Sequence, residues 1–219
     1  MENENTFTRS NRENGKISAK KALEKGHQVN CLARNSQRID EEEGLTIIEG
    51  NPNKEADLQK AINNCEAVIS VLNISRKSDF PWSGLRTSKN YLSDVMSLLI
   101  PLAENQNLKR LSVCSAWGVA ETKKDIPGWF RWFIDNSNIG IAYQDHERQE
   151  KIISESKLNW VIIRPVGLTN SKRQEKIKET FDKKPKPSLL ISRESVAEYL
   201  VNSLENDGLI HKKVVISKE

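Results

Sequence analysis

The chain has 219 residues, of which 37% are hydrophobic and 29% are charged, and it carries a formal net charge of +4. This length gives room for one substantial core beneath a densely charged, soluble surface. No apolar run approaches the about 20 residues of a membrane-spanning helix, and the polar N-terminus lacks the core of a signal peptide. The positive charge is spread along the chain, so we expect neither a membrane nor a nucleic-acid partner.

The three cysteines, Cys31, Cys65 and Cys114, stand far apart and form no C-x-x-C pair. An odd and scattered set argues against a disulfide framework and against a zinc site. We therefore expect a cytoplasmic protein without a bound metal.

The segment from residue 15 to residue 34 is the most informative part of the sequence. A helix is predicted from Lys16 to Lys25, with Gly26 as its C-terminal stop. A strand over Gln28–Ala33 follows and ends at Arg34. This order is that of the second half of a dinucleotide-binding βαβ unit, with a cation where a 2′-phosphate would lie.

The first half of this unit departs from the pattern. The positions of the three fingerprint glycines are held by Arg12, Gly15 and Ser18. The preceding segment, residues 5–11, is polar where a buried parallel strand is normally apolar. Whether residues 6–8 pair as a strand is left open by the sequence.

Strand and helix patterns alternate through the rest of the chain. Further strands are predicted over residues 45–49, 67–72, 109–115, 160–165 and 213–217. Helices are predicted after a cap at Asn53, over residues 88–104 (where Pro101 could shorten the helix), over residues 139–156, and after a cap at Ser192. Such alternation indicates an α/β fold with a doubly wound, mainly parallel sheet.

We interpret residues 1–219 as a single domain in which residues 1–14 supply an atypical first strand. Residues 117–137 and 165–190 interrupt the rhythm and are predicted to form a small substrate-side cap over the carboxyl ends of the strands. An aromatic cluster lies in the first of these inserts. It could stack on a flat substrate or pin the cap to the core; its members are Trp129, Phe130, Trp132 and Phe133.

Two positions are candidate contacts to a dinucleotide. Gly15, with the N–H groups of Lys16 and Ile17, could hold a pyrophosphate at a helix N-terminus. The alternative is an ordinary turn before a helix. Arg34, helped by Asn35 and Arg38, could bind a 2′-phosphate, or it could be a plain surface arginine.

The segments over residues 20–29 and 33–35 resemble the NmrA-like, atypical short-chain dehydrogenase/reductase family, which includes NAD(P)H-binding flavin and biliverdin-IXβ reductases. The resemblance continues through residues 48–51, 65–72, 145–150 and 160–169. It covers about residues 15–217, nearly the whole chain, and implies a Rossmann-type fold.

The resemblance implies contacts to the cofactor along one edge of the sheet. Gly15, Lys16 and Ile17 match the dinucleotide loop of the family. Arg34 matches the position that selects NADP. Asn51 takes the place of an aspartate that lies near the adenine. Leu72 and Asn73 would run beside the ribose and pyrophosphate. Ser115, Ala116 and Trp117 would face the nicotinamide, with Pro165 and Val166 on its far side.

Classical members of the wider superfamily use a serine, a tyrosine and a lysine four residues after the tyrosine. Ser115 and Tyr143 match the first two, but the lysine position holds Glu147. His146 is then the best candidate proton donor, because its ordinary pKa lies near neutrality and Asp145 could orient it. The alternative is that Asp145 and His146 cap and pack the helix.

We therefore expect an NAD(P)H-dependent oxidoreductase that transfers hydride to a small aromatic, quinone-like or flavin-like acceptor. Its cofactor is expected to be NADP(H), with NAD as the alternative, and its state a monomer or a homodimer. The competing hypothesis is a non-catalytic NAD(P)-binding sensor or regulatory protein with a degenerate cofactor site.

Overall fold

The computed structural model describes residues 5–9, 13–173 and 175–219, with residues 5–9 described for their backbone only and Arg38 without its side chain. Arg12, which replaces a fingerprint glycine, lies outside the described residues. The strands are β1 (Asn5–Arg9), β2 (Gln28–Ala33), β3 (Leu45–Glu49), β4 (Ala67–Ser70), β5 (Arg110–Cys114), β6 (Trp160–Pro165), β7 (Gly167–Thr169), β8 (Ile177–Thr180), β9 (Leu190–Ser192) and β10 (Lys212–Lys218). The helices are α1 (Glu13–Glu24), α2 (Glu55–Ile62), α3 (Tyr91–Asn105), α4 (Gly128–Asp135), α5 (Ile139–Ser154) and α6 (Arg193–Asn202).

Eight strands form the main sheet in the order β3-β2-β1-β4-β5-β6-β10-β8. Every neighbouring pair is parallel except β10 with β8, which is antiparallel. The chain moves outward from β1 in one direction and then from β4 in the other, which is the doubly wound arrangement. The predicted Rossmann-type α/β fold is confirmed.

The polar first strand lies at the centre of this sheet. Thr6 pairs with Val29 of β2 on one side and with Ala67 of β4 on the other, both in parallel register. The sequence left this pairing open, and the structure decides it. Both neighbours of β1 offer hydrogen-bonding backbone groups, which a parallel ladder can use whatever the side chains are.

Helices cover both faces of the sheet, and an apolar cluster fills each side. Val68 and Ile162 belong to the cluster beneath α2, α3 and α5, whereas their chain neighbours Ile69 and Ile163 belong to the cluster beneath α1 and α6. Successive strand residues point to opposite faces, so both must be apolar when both faces are covered. This explains the continuous apolar runs in the sequence.

Several local predictions can be compared with the structure directly. The cap at Ser192 is confirmed, because its Oγ accepts a hydrogen bond from the N–H of Ser195 at 3.1 Å. The cap at Asn53 is wrong, since Lys54 holds the N-cap position of α2 and the N–H of Asn53 donates to Asn51 Oδ1. Pro101 lies inside α3 without ending it.

The first insert, residues 117–137, contains a 3-10 turn over Ala120–Asp125 and helix α4, which the sequence reading did not predict. The second, residues 165–190, contains β7 and β8. Their action as a cap, and the single-domain boundaries, stay predictions. Within the described ranges, no helix has the length and apolar character needed to cross a membrane.

Candidate functional site

A cavity of about 400 Å³, here called the central cavity, opens where β4, β5 and β6 end. Ligands of open α/β sheets bind outside the carboxyl ends of the strands, next to the point where the strand order reverses. The cavity brings together many of the residues predicted from sequence. They are Leu72, Asn73, Ser115, Ala116, Trp117, Tyr143, His146, Pro165 and Val166.

The residues of the predicted phosphate loop do not line this cavity. Helix α1 begins at Glu13, so Gly15 is its third residue and is buried, while Lys16 is exposed. Only the first few N–H groups of a helix lack an intrahelical partner. The N–H groups of Lys16 and Ile17 lie beyond that first turn, and an anion at this helix end would meet residues 13–15 instead.

The predicted adenosine contacts lie at the same edge of the sheet but outside the central cavity. Arg34 and Asn35 follow β2, and Arg34 is exposed. Asn35 Oδ1 accepts a hydrogen bond from the N–H of Gln37 at 3.1 Å, and Asn51, after β3, accepts one from Asn53 at 3.1 Å. Their role in binding a nucleotide stays a prediction.

Ser115 is buried at the end of β5, with its side chain in a defined orientation. Its N–H donates to the carbonyl oxygen of Ile163 at 2.7 Å, which fixes the backbone against β6. Its Oγ donates to Glu150 Oε1 at 2.6 Å. The single hydroxyl proton is therefore held by a carboxylate of α5.

That carboxylate belongs to a buried charge network. Glu150 is 1% exposed and Arg164 is 2% exposed. Arg164 Nε donates to Glu150 Oε1 at 3.0 Å and its Nη2 to Oε2 at 2.5 Å, while Lys213 Nζ lies 3.7 Å from Oε2. Arg164 also pairs with Glu121. Buried charges need such partners, so the network fixes the geometry around Ser115.

His146 lines the central cavity and is 3% exposed. Burial lowers the pKa of His146 to about 4, against the opposing influence of Glu150 and Asp145. Its Nδ1 has no hydrogen-bond partner among the described residues. The imidazole is therefore neutral at pH 7, and the role of His146 as a proton donor stays a prediction.

Asp145 does not orient this imidazole. Its Oδ2 accepts a hydrogen bond from the N–H of Leu92 at 2.6 Å, and its Oδ1 accepts one from Ser93 Oγ at 2.6 Å. Both partners lie in the first turn of α3, where a carboxylate satisfies unpaired N–H groups. Asp145 therefore caps a helix, as the alternative prediction proposed, but the helix is α3 and not its own helix α5.

Tyr143 completes the set of predicted catalytic residues. Burial raises its pKa to about 12. Phe130 of α4 meets its ring edge-on at a centroid distance of 6.1 Å. Glu147, at the position of the usual lysine, is exposed, and the described lining of the cavity contains no lysine. Nothing there lowers the pKa of the phenol.

A sequence model of a family described as NAD(P)H-binding matches residues 10–207. The chain belongs to this NAD(P)H-binding family. No curated protein matches the sequence. The fold agrees with the family, and the predicted membership of an NAD(P)H-binding family is confirmed.

Solved structures share this NAD(P)H-binding fold. A wide-type short-chain dehydrogenase/reductase from Veillonella parvula, in complex with NADP, has a TM-score of 0.80 at 18% identity, with 100% of this chain and 95% of that chain covered. The oxidoreductase ylbE from Lactococcus lactis has a TM-score of 0.78 at 17% identity, covering 99% and 91%. ChuY, an anaerobillin reductase from Escherichia coli O157:H7, has a TM-score of 0.76 at 15% identity, covering 98% and 97%.

In this NAD(P)H-binding chain, four polar residues that were not predicted from the sequence also line the cavity: Asn14, Arg76, Asn138 and Arg193. Asn14 lies one residue before the predicted loop glycine, and Arg76 follows a strand at the carboxyl edge of the sheet. Only the positions of Asn14 and Arg76 in the sequence could have identified them, since neither belongs to a recognisable motif. Arg193 comes from the distant helix α6, and only folding brings it there.

The aromatic cluster divides between two environments. Phe130 lines the central cavity, whereas Trp129 and Trp132 are 66% and 55% exposed. Phe133 packs against Trp82 at a centroid distance of 5.9 Å. Stacking on a flat substrate and pinning the cap to the core were the two alternatives read from sequence. Neither describes all four side chains, because α4 presents them to different sides.

Proposed function

We propose that the protein is an NAD(P)H-dependent oxidoreductase that transfers hydride to a small aromatic, quinone-like or flavin-like acceptor. One observation carries this proposal. Side chains from three different strand ends and from α5 converge on the central cavity of a chain that belongs to an NAD(P)H-binding family. Convergence of this kind at the carboxyl edge of the sheet is where such cofactors react.

The residues present fit a nicotinamide dinucleotide. The central cavity adjoins a second cavity of about 480 Å³, here called the outer groove, and the two share Asn14, Asn73, Arg76 and Arg193. In the proposal, Ser115, Trp117, Pro165 and Val166 hold the nicotinamide. The rest of the dinucleotide contacts residues 13–15 at the start of α1, and also Leu72, Arg34, Asn35 and Asn51. Arg34 favours NADP over NAD. When bound, the reduced nicotinamide supplies the hydride.

The chemistry of the lining supports the acceptor class. Burial keeps His146 neutral and Tyr143 protonated at pH 7, and the Ser115 proton is held by Glu150. None of these groups is a strong acid near neutrality, so the site suits acceptors that take two electrons without prior protonation. Quinones and flavins meet this requirement, with the balancing proton taken from water.

The finer assignments follow from the same proposal. We place the chain in the NmrA-like, atypical branch, as a cytoplasmic monomer or homodimer with a small-molecule substrate. The anaerobillin reductase among the neighbours agrees with a reductase activity, although that property belongs to the neighbour.

Binding and turnover test the proposal separately. Purified protein is titrated with NADPH and NADH by fluorescence, and oxidation at 340 nm is followed with riboflavin, FMN and a simple naphthoquinone. Binding together with turnover supports the oxidoreductase. Binding without turnover of any acceptor supports the sensor instead, and the absence of both contradicts the two functions.

Two observations favour the non-catalytic alternative, a dinucleotide sensor. Glu13 places an exposed carboxylate at the first position of α1, where the partial positive charge of the helix would otherwise favour a phosphate. Glu147 replaces the lysine of the usual proton relay. Both changes weaken the standard machinery without altering the fold.

A further inference from the structure

We propose that Arg76 and Arg193 form an anion-binding site in the central cavity, for a phosphate or carboxylate carried by an aromatic ligand. Both arginines line the central cavity and the outer groove. They come from opposite parts of the chain, one from the loop after β4 and the other from the start of α6. Their juxtaposition is a product of the fold and matches no sequence motif.

Arg76 has an unsatisfied donor. Its Nη1 is buried from solvent, yet it has no hydrogen-bond partner among the described residues. Its backbone forms an isolated bridge to Leu85, which holds the loop in place. Buried polar atoms in proteins are nearly always hydrogen-bonded, so an exception beside a cavity indicates a missing acceptor.

Arg193 is fixed by neutral groups. Its Nη1 donates to Asn14 Oδ1 at 2.9 Å and its Nε donates to Asn170 Oδ1 at 2.8 Å. A carboxylate, that of Glu13, lies 3.7 Å from Nε but is 63% exposed. Amide oxygens orient a guanidinium without neutralising its charge, so Arg193 retains attraction for an anion.

The charge of the lining points the same way. Among the described residues of the central cavity, Arg76 and Arg193 are charged at pH 7 and no Asp or Glu is present. The outer groove adds Glu13 and Asp79, both exposed to water. Arginine binds phosphates and carboxylates through paired, charge-assisted hydrogen bonds, which suits a planar or tetrahedral oxyanion.

The apolar part of the cavity specifies the remainder of the ligand. Trp117 and Phe130 line it together with the two arginines. An aromatic ring with an acidic group therefore matches the lining. The anion could come from the phosphates of the dinucleotide or from an acidic group on the acceptor. The choice between these two sources rests on the proposed function. The binding of an anion by the two arginines does not depend on it.

The experiment compares ligands that differ by a phosphate. Isothermal titration calorimetry is run with NADP⁺, FMN and riboflavin on the wild type, Arg76→Gln, Arg193→Gln and the charge-retaining Arg76→Lys. Arg173→Gln is the matched control, because Arg173 is exposed and lies outside both cavities. Circular dichroism verifies folding, and if Arg193→Gln fails to fold, the two Arg76 variants decide the test.

We expect each Gln variant to raise the dissociation constant for NADP⁺ or for FMN about tenfold. The dissociation constant for riboflavin should stay within about twofold of the wild-type value. Arg76→Lys should give an intermediate value. If only NADP⁺ loses affinity, the anion belongs to the dinucleotide. If only FMN loses affinity, the anion belongs to the acceptor. The site is overturned if NADP⁺ and FMN bind both Gln variants as they bind Arg173→Gln, or if the wild type binds neither. NADPH oxidation is scored separately, so phosphate-dependent binding without turnover removes the oxidoreductase but keeps the site.

Discussion

Ser115 Oγ donates its proton to Glu150 Oε1 at 2.6 Å. A hydroxyl has one proton and two lone pairs, so a serine held in this way presents only acceptor capacity to its other neighbours. Ser115 therefore faces the central cavity as a hydrogen-bond acceptor. To polarise or protonate an acceptor, Ser115 would first have to break this bond.

Glu150→Gln is expected to lower the free energy of unfolding by about 3–5 kcal/mol, because it leaves the buried guanidinium of Arg164 without its main counter-charge. Urea denaturation followed by circular dichroism measures the change. The control is Glu155→Gln at the exposed end of the same helix, expected to lie within about 0.5 kcal/mol of the wild type. Equal effects of the two variants would contradict the importance of the network.

His146→Gln is expected to flatten the pH dependence of stability between about pH 4 and pH 6.5. The folded-state pKa of His146 is about 4, below its ordinary value of 6.5, so the unfolded chain binds the proton more readily in this window. The resulting stability is complete above about pH 6.5 and is lost as the pH falls toward 4. The loss is of the order of 3 kcal/mol.

Denaturation series of the wild type and His146→Gln from pH 4 to pH 8 measure this difference. Only the slope is compared, because the substitution also changes packing. His211→Gln, at an exposed histidine outside the central cavity, serves as the control. Parallel curves for the wild type and His146→Gln would show that burial does not depress the pKa of His146.

Arg34→Gln is expected to weaken NADPH binding about tenfold or more and to change NADH binding by less than about twofold. The physical reason is the loss of a charge-assisted bond to a 2′-phosphate, which NADH lacks. Fluorescence titrations give the two dissociation constants. Lys20→Gln removes an equal charge from an exposed position of α1 and controls for general electrostatics. An equal loss of affinity for NADPH and NADH would show that Arg34 does not bind the 2′-phosphate.

Gly140→Ala is expected to destabilise the fold by about 1–3 kcal/mol, because α4 and α5 approach too closely for a side chain. A Cβ at this position would lie 2.2 Å from the carbonyl oxygen of Ile134. Gly128→Ala is the matched control, since a Cβ there meets nothing within 4 Å and alanine favours a helix. The thermal unfolding midpoint should fall only for the first variant, and an unchanged midpoint would refute the close approach.

The strands were the most predictable part of the fold. β2, β3 and β6 have the bounds read from sequence. Of the three, β6 is buried along its whole length, as its apolar run predicts for a strand that is covered on both faces. Helix α4 was missed, although its aromatic residues recur at helical spacing, because a short segment between two loops carries little periodic signal. The start of α1 lies three residues earlier than predicted, as helix ends are the least defined by pattern.

The sequence by itself determined the alternation of strands and helices, the parallel sheet, and the strand ends from which Ser115, Pro165 and Leu72 reach one edge. These are local properties, which follow from hydrophobic periodicity and from the residues that end each helix or strand. Tertiary structure decided which partner each polar group found. Asp145 caps α3 rather than orienting His146, Ser115 donates to Glu150, and Arg193 meets Asn14 across the chain. Burial and long-range hydrogen bonds set these choices, and neither is encoded in the spacing of neighbouring residues.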